Sequence, residues 1–285
     1  MHSNPSARGR LRRKGLGLAA VLAWTAGQGA AFAQDLEPRR WTHLPVGTSV
    51  AGLTYAYSEG STGFDPVLEI LPYQTARWEG LLSGVPTTVR REGLADPWLR
   101  LSVDVAGAPA LKGKEYQAYR AAHPVNTIVG LALGVMLPLG QYEADKLLNL
   151  GQNRFVIRPQ TGVLQTRGPW SYELTGSVFV FTRNDDFFGG NEREQDPLFA
   201  LRAHVVPTFS NRWWASLGTG HSWGGESSIN GVAKDERRGS LLAGASVGLP
   251  IGETQGLKLS YLRGDTLEPV GSDTDSLLLS WSLRF

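Results

Sequence analysis

Four groups of residues in this chain have the types and spacing that chemistry needs. Gly244-Ala245-Ser246-Val247-Gly248 fits the G-x-S-x-G pattern, in which a serine on a sharp strand-to-helix turn becomes a nucleophile. His221-Ser222 sets an imidazole beside a hydroxyl, a pairing that could serve ester hydrolysis at a membrane. Asp185, Asp186, Glu192, Glu194 and Asp196 crowd one segment with the oxygen ligands that calcium takes. Arg100, Asp104, Arg158, Gln160, Glu173, Arg202, His204, Lys258 and Arg284 place polar and charged groups inside otherwise apolar segments.

The first three groups weaken once their context is read. Ser246 sits within an unbroken alternation of small and apolar residues, with no turn to expose it, so Gly244 to Gly248 reads as a small-residue stretch of wall. Adjacent residues on a strand point to opposite faces, so His221 and Ser222 do not pair with each other. The acidic spacing matches no calcium loop, and a solvated surface loop explains it. No enzyme, metal or cofactor is therefore expected. Within the same loop, Phe187-Phe188-Gly189-Gly190 has two readings: it folds inward to constrict a pore or meet an apolar solute, or it packs on neighbouring loops. The chain has no cysteine, which excludes disulfides, thiol nucleophiles and thiolate metal sites.

The fourth group depends on the elements that hold it. Asp275 to Phe285, DSLLLSWSLRF, puts Leu277, Leu279, Trp281, Leu283 and Phe285 on one parity, and Ser280, Ser282 and Arg284 on the other. That is a strand with one apolar and one polar face. The same alternation recurs at residues 50–58 and in strands beginning near Pro97, Thr127, Arg154, Trp170, Leu198, Trp213, Ser240 and Leu257. Residues 112–123 have room for a short helix. Strands of about nine to twelve residues suit a tilted bilayer crossing, and the connections alternate between short turns and long polar loops. Aromatics at strand ends (Trp41, Trp98, Tyr142, Trp170, Tyr172, Trp213, Trp214, Trp223) read as interfacial girdles.

This pattern predicts an all-β fold, a transmembrane up-and-down antiparallel β-barrel. Ten strands are clear, and residues 64–92, broken by Pro66 and Pro72, hold either no strand or a pair. A pair is favoured, giving about 12 strands, with the terminal strand closing on residues 50–58. A midplane Arg or Lys facing lipid costs ~2–4 kcal/mol, so the charged parity must face the interior. Arg100, Asp104, Arg158, Gln160, Glu173, Arg202, His204 and Lys258 are then pore-lining candidates in a mostly paired lumen. Its arginines outnumber its acids, which predicts mild anion preference.

Residues 1–33 read as a secretory signal peptide: a basic region (Arg8, Arg10, Arg12, Arg13, Lys14), an apolar run from Leu16 to Ala26, and Ala31-Phe32-Ala33 as cleavage site. The run is too short for a membrane anchor. Without its five basic residues, 23 basic face 26 acidic side chains, a net charge of −3. Overall charge therefore gives no case for nucleic-acid binding. Residues 34–46 are expected as a periplasmic N-terminal segment and residues 47–285 as the barrel.

Several blocks carry a family resemblance: EPRRWTHLPVGTSV (37–50), TYAYSEG (54–60), FDPVL (64–68), ADPWLRLSV (95–103), GAPAL (107–111), LPLGQYEADKLLNLGQNRF (137–155), and FTRNDDFFGG with EQDPLFAL (181–201). The chain resembles the outer-membrane barrel transporters of the meta-pathway of phenol degradation family. It departs from them at one place, where FDPVLEI and LPYQTARWEG almost abut instead of flanking a further hairpin. The resemblance implies a bacterial outer-membrane channel for passive uptake of small, aromatic or apolar solutes. Its partners would be outer-membrane lipids and the barrel-insertion machinery, which reads the C-terminal Trp281, Leu283 and Phe285. The alternatives are a non-conducting structural or interaction barrel and, more remotely, an outer-membrane lipase.

Overall fold

Alternation of apolar and polar side chains fixes which face of each strand turns inward, and a computed structural model follows that alternation almost throughout. It describes residues 36–60, 73–82, 85–146, 149–268 and 273–285. The predicted signal peptide and the FDPVLEI segment lie outside the described residues. In chain order the elements are β1 (Val50–Gly60), β2 (Tyr73–Leu82), β3 (Val85–Leu94), β4 (Trp98–Ala106), α1 (Gly113–Ala122), β5 (Val125–Met136), β6 (Val156–Arg167) and β7 (Trp170–Phe181). They continue as β8 (Asn184–Phe187), β9 (Asn191–Gln195), β10 (Leu198–Pro207), β11 (Trp214–Gly224), β12 (Ser227–Ile229), β13 (Val232–Ala233), β14 (Arg238–Ile251), β15 (Gln255–Thr266) and β16 (Thr274–Arg284).

Ten strands form one antiparallel sheet in the order β1-β16-β15-β14-β11-β10-β7-β6-β5-β4. The C-terminal strand pairs with β1 as its sequence predicts, from Val50 opposite Arg284 to Gly60 opposite Thr274. Ser49 and Phe285 exchange backbone hydrogen bonds of 2.9 and 3.0 Å beyond the last strand pair. The doubtful 64–92 region does contain a strand pair, shifted toward its end. β2 and β3 form a hairpin from Tyr73 opposite Leu94 to Leu82 opposite Val85, paired with each other as a separate two-stranded sheet.

The two ends of the sheet differ. At the end holding the chain termini, β6 joins β7 and β14 joins β15 through tight turns, and α1 bridges β4 and β5. The opposite end carries the long connections, and there the structure corrects a reading. Residues 183–197 and 224–238, expected as irregular loops, form β8, β9, β12 and β13, a four-stranded sheet in the order β13-β12-β9-β8. Polar composition hid these strands, because sheet hydrogen bonding at a solvated edge needs no apolar parity.

Outward side chains are apolar and bare: Leu53, Leu101 and Leu217 are 68–76% exposed, amid many leucines and valines of the same parity. A contiguous apolar surface of this extent is what lipid contact covers. Charge returns to the outer face near the long-loop end, where Arg263 binds Asp275 at 2.7 Å beside Tyr261. Trp223, stacked between Phe199 (5.8 Å) and His221 (5.3 Å), adds an aromatic patch at that end. Trp170 and Tyr172 are exposed at the other, so these three positions meet the girdle expectation. Trp41, Trp98 and Trp214 do not. They face inward, against Gly130 and Gly162, Gly134, and Gly248.

Candidate functional site

Inward side chains of the ten-stranded sheet are largely buried, and the chain's own N-terminal segment covers a share of them. Residues 36–43 run across the inner wall from β5 to β15. His43 Nε2 lies 2.9 Å from the Pro109 carbonyl, and its own carbonyl accepts the Tyr116 hydroxyl of α1 at 2.8 Å. The His43 ring meets Tyr116 and Tyr119 edge-on at 4.9 and 5.9 Å. Trp41, 2% exposed, donates its indole N–H to Thr175 on β7 at 2.8 Å and packs with Ile128 and Leu164. The Arg39 backbone N–H donates to Glu173 at 2.8 Å, while its guanidinium lies over the Trp214 ring. Glu37 pairs with Lys258 on β15 at 2.5 Å. Leu36 reaches the wall at Gly218 and Gly244. A segment that touches β5, β7, β11 and β15 in eight residues requires the sheet to curl around it.

The inner wall is cut to that segment. A Cβ on Gly162 would lie 2.0 Å from Trp41 Nε1, and one on Gly130 2.2 Å from Trp41 Cε3. Real Cβ atoms do not approach so closely, so these glycines are the space that the indole fills. The segment's partner on the wall was not legible in sequence, because proline-rich polar residues carry no periodicity that ties them to a wall.

The pore-lining candidates are inward, and several meet on this segment. Arg100 stacks over the Trp41 ring at 5.1 Å and donates to Gln160 at 3.3 Å. Gln160 donates to Ser177 at 3.1 Å, and Arg202 reaches the same hydroxyl at 3.5 Å. Glu173 stands opposite His204 in the β7–β10 register. Arg158 lies on the Phe179 ring at 4.5 Å, beside the apolar cluster of Met136, Val156, Leu198 and Ala200. Asp104 is half-buried on β4 near a bulge. Arg284 binds the Glu253 carbonyl at the termini end. One half of the wall is thus bulky and filled. The other half, β11 to β1, is lined with small hydroxyls bonded to one another: Ser222 with Ser240 (2.7 Å), Ser246 with Ser260 (2.8 Å) and Thr54 with Ser280 (2.8 Å).

Those contacts remove the hydrolase geometry. Ser246 lies mid-strand on β14, bonded to a hydroxyl, and no strand-to-helix turn presents it. His221 is exposed on the outer face while Ser222 is buried on the inner one. In the acidic segment Arg183 ties Asp185 to Glu192, so carboxylates there neutralise a cation.

At the long-loop end, Phe187 is buried with the Arg193 guanidinium over its ring at 5.3 Å, and Phe188 is half-buried at a positive φ of 28°. The hairpin tip bonds the neighbouring loop: Gly189 N–H to Ala144 (2.9 Å) and Tyr142 hydroxyl to Asp186 (3.0 Å). Burial holds the pKa of Arg193 below the usual arginine value, against the pull of Glu236. Arg154 is lowered further, by burial first and then by the charges of Arg193 and Arg238.

Asp96 anchors that loop. Its carboxylate accepts the Gly140 N–H at 2.8 Å and the Gln152 N–H at 2.6 Å. Asp96→Ala leaves two sheltered N–H groups unbonded, at a cost of ~1–3 kcal/mol each. Trypsin should then cut faster after Lys146, with little change in the sheet's own melting; unchanged cleavage would mean that the loop is held elsewhere.

Comparison with known proteins bears on this arrangement. A family model described as "Putative MetA-pathway of phenol degradation" matches residues 27–269. The crystal structure of an outer membrane channel from Pseudomonas putida F1 superposes with a TM-score of 0.68 at 20% sequence identity, covering 88% of this chain and 100% of that one. At that identity the likeness is one of fold. No curated protein matches the chain.

Proposed function

Because the chain belongs to the MetA-pathway of phenol degradation family, we propose that it is a bacterial outer-membrane channel through which small, aromatic or apolar solutes pass without chemistry. The observation that carries the reading is the sorting of one curled sheet into a bare apolar outer face and a polar, hydroxyl-lined inner one. Lipid covers the first and solute moves along the second. The hydroxyl-lined half, β11 to β1, is the route once the N-terminal segment, which crosses it through Leu36, Glu37 and Arg39, moves aside, since the opposite half is filled by Phe179 and the arginines.

Closure completes the barrel at 12 strands, with the β2–β3 hairpin seated between β1 and β4, the two edges of the ten-stranded sheet. The termini end is periplasmic and the four-stranded sheet caps the outside. Residues 1–33 are removed as a signal peptide, residues 47–285 form the barrel, and the 34–46 segment is periplasmic in origin, with its residues 36–43 against the inner wall. Phe285 keeps 72% of its surface exposed, so its ring is free for the insertion machinery that reads Trp281, Leu283 and Phe285. Phe187 and Phe188 belong to the outer cap.

A second reading, a non-conducting structural barrel, is favoured by one observation: residues 36–43 occupy the interior. Proteoliposome swelling separates the two. Vesicles carrying the folded protein should swell faster than protein-free vesicles in iso-osmotic arabinose or sodium benzoate, and equal rates would leave only the structural role.

A further inference from the structure

Buried charge is concentrated where the outer cap meets the inner wall. Arg154, Arg193 and Arg238 are each at most 8% exposed. They come from three separate places: the residue pair before β6, the middle of β9, and the first residue of β14. Each guanidinium lies within electrostatic reach of its neighbours. Like charges held together in a dry site need counter-charge, because a buried ion without a partner is strongly unfavourable.

The protein supplies little of it. Glu236, which accepts a hydrogen bond from Ser227, is the buried carboxylate facing Arg193 and Arg238. Asp96, the carboxylate that faces Arg154, is committed to the backbone N–H groups of Gly140 and Gln152. Arg154 spends its Nε and Nη2 on the neutral amides of Gln152 and Gln195, and rests on the Phe181 ring at 4.5 Å. Its Nη1, and both Nε and Nη2 of Arg238, are buried without a hydrogen-bond partner among the described residues. Among the described residues Glu236 thus faces Arg193 and Arg238, Asp96 faces Arg154, and N–H donors of Arg154 and Arg238 remain to be accepted. Phe181 and Phe187 flank the group with aromatic faces.

We propose that Arg154, Arg193 and Arg238 form an anion site beneath the outer cap that takes a small organic carboxylate. The carboxylate oxygens accept the free N–H groups of Arg154 and Arg238, as charge-assisted bonds to guanidinium do. The phenylalanine rings receive the ligand's apolar part. This rests on the channel reading, since it names a solute class for that channel and places its first stop at the outside.

The test uses benzoate and its neutral isostere benzamide with the folded, full-length mature protein. A ligand that binds the native state raises its melting temperature with concentration. Benzoate is expected to raise that of the parent protein by several degrees and benzamide to leave it unchanged. Arg238→Gln and Arg154→Gln should each weaken the benzoate response about tenfold or more, the loss of a charge-assisted bond, while Arg238→Lys retains part of it. An equal response to benzamide, no response to benzoate, or an undiminished response in Arg238→Gln overturns the site. Should Arg238→Gln fail to fold, Arg154→Gln and the benzoate-to-benzamide comparison decide. Ion conductance of the parent protein in potassium chloride, measured alongside, tells failure of the site from failure of the channel reading.

Discussion

Deleting residues 36–43 is expected to raise ion conductance by about fivefold or more, the kind of difference that separates a filled small barrel from one with an open lumen. The segment spans the interior through the Trp41–Thr175 and Arg39–Glu173 hydrogen bonds and the Glu37–Lys258 ion pair. The Trp41 indole is the nearest group to both Gly130 and Gly162, with the Asp104 carboxylate beside the first. The deletion also exposes Ile128 and Leu164, which pack on Trp41. Removing so large a buried side chain costs ~3–5 kcal/mol, so the deletion should melt at lower temperature while still assembling. Trp41→Ala gives a milder version of both effects. Parent-like conductance in both variants would mean that the segment lies aside from the permeation route.

The second expectation attacks the same contact from the wall and leaves the segment whole. In Gly162→Val the new Cβ would lie 2.0 Å from Trp41 Nε1, inside any tolerable contact, and the clash is with a ring. Overpacking of this kind costs ~1–3 kcal/mol where neighbours can shift. Here the easiest shift is outward movement of the segment, which is held by few residues against a preformed sheet. Trypsin should then cleave after Arg39 and Arg40, protected in the parent, and conductance should rise toward that of the deletion. Gly176→Ala is the control, since its Cβ would meet only Thr161 Cγ2 at 3.9 Å. If Gly162→Val protects Arg39 and Arg40 as well as the parent does, the indole is not wedged against that glycine.

Parity made the sheet legible. Leu99, Leu101, Val103 and Val105 against Arg100, Ser102 and Asp104 is a period of two, and a period of two by itself assigns each side chain to a face. The terminal strand's partner followed from the even count that brings both ends to one side. Two features were beyond that signal. β8, β9, β12 and β13 are short polar strands at a solvated edge, and their pairing depends on two loops meeting, as in Arg193 opposite Ile229. Residues 36–43 are held by tertiary contacts alone: a tryptophan whose neighbours in sequence are Arg40 and Thr42 looks like an interfacial anchor. The inward glycines of β5, β6, β11 and β14 were the available clue. Read as a set, Gly130, Gly162, Gly218 and Gly244 trace the path that the segment takes.

The arginine excess was legible in part as well. Arg100, Arg158 and Arg202, and Arg154 at the start of its strand, could be assigned to the interior from parity, whereas Arg193 and Arg238 lie in or beside connections, where sequence assigns no face. Their gathering under the cap depends on β9 folding back over the mouth of the sheet.

Single-channel recording of the intact mature protein in a planar bilayer, under a potassium chloride gradient, tests the channel reading most directly. Small discrete conductance steps are expected, with a reversal potential displaced toward that of chloride by the interior arginines. Bilayers that contain folded protein yet show no steps at any applied voltage would contradict it.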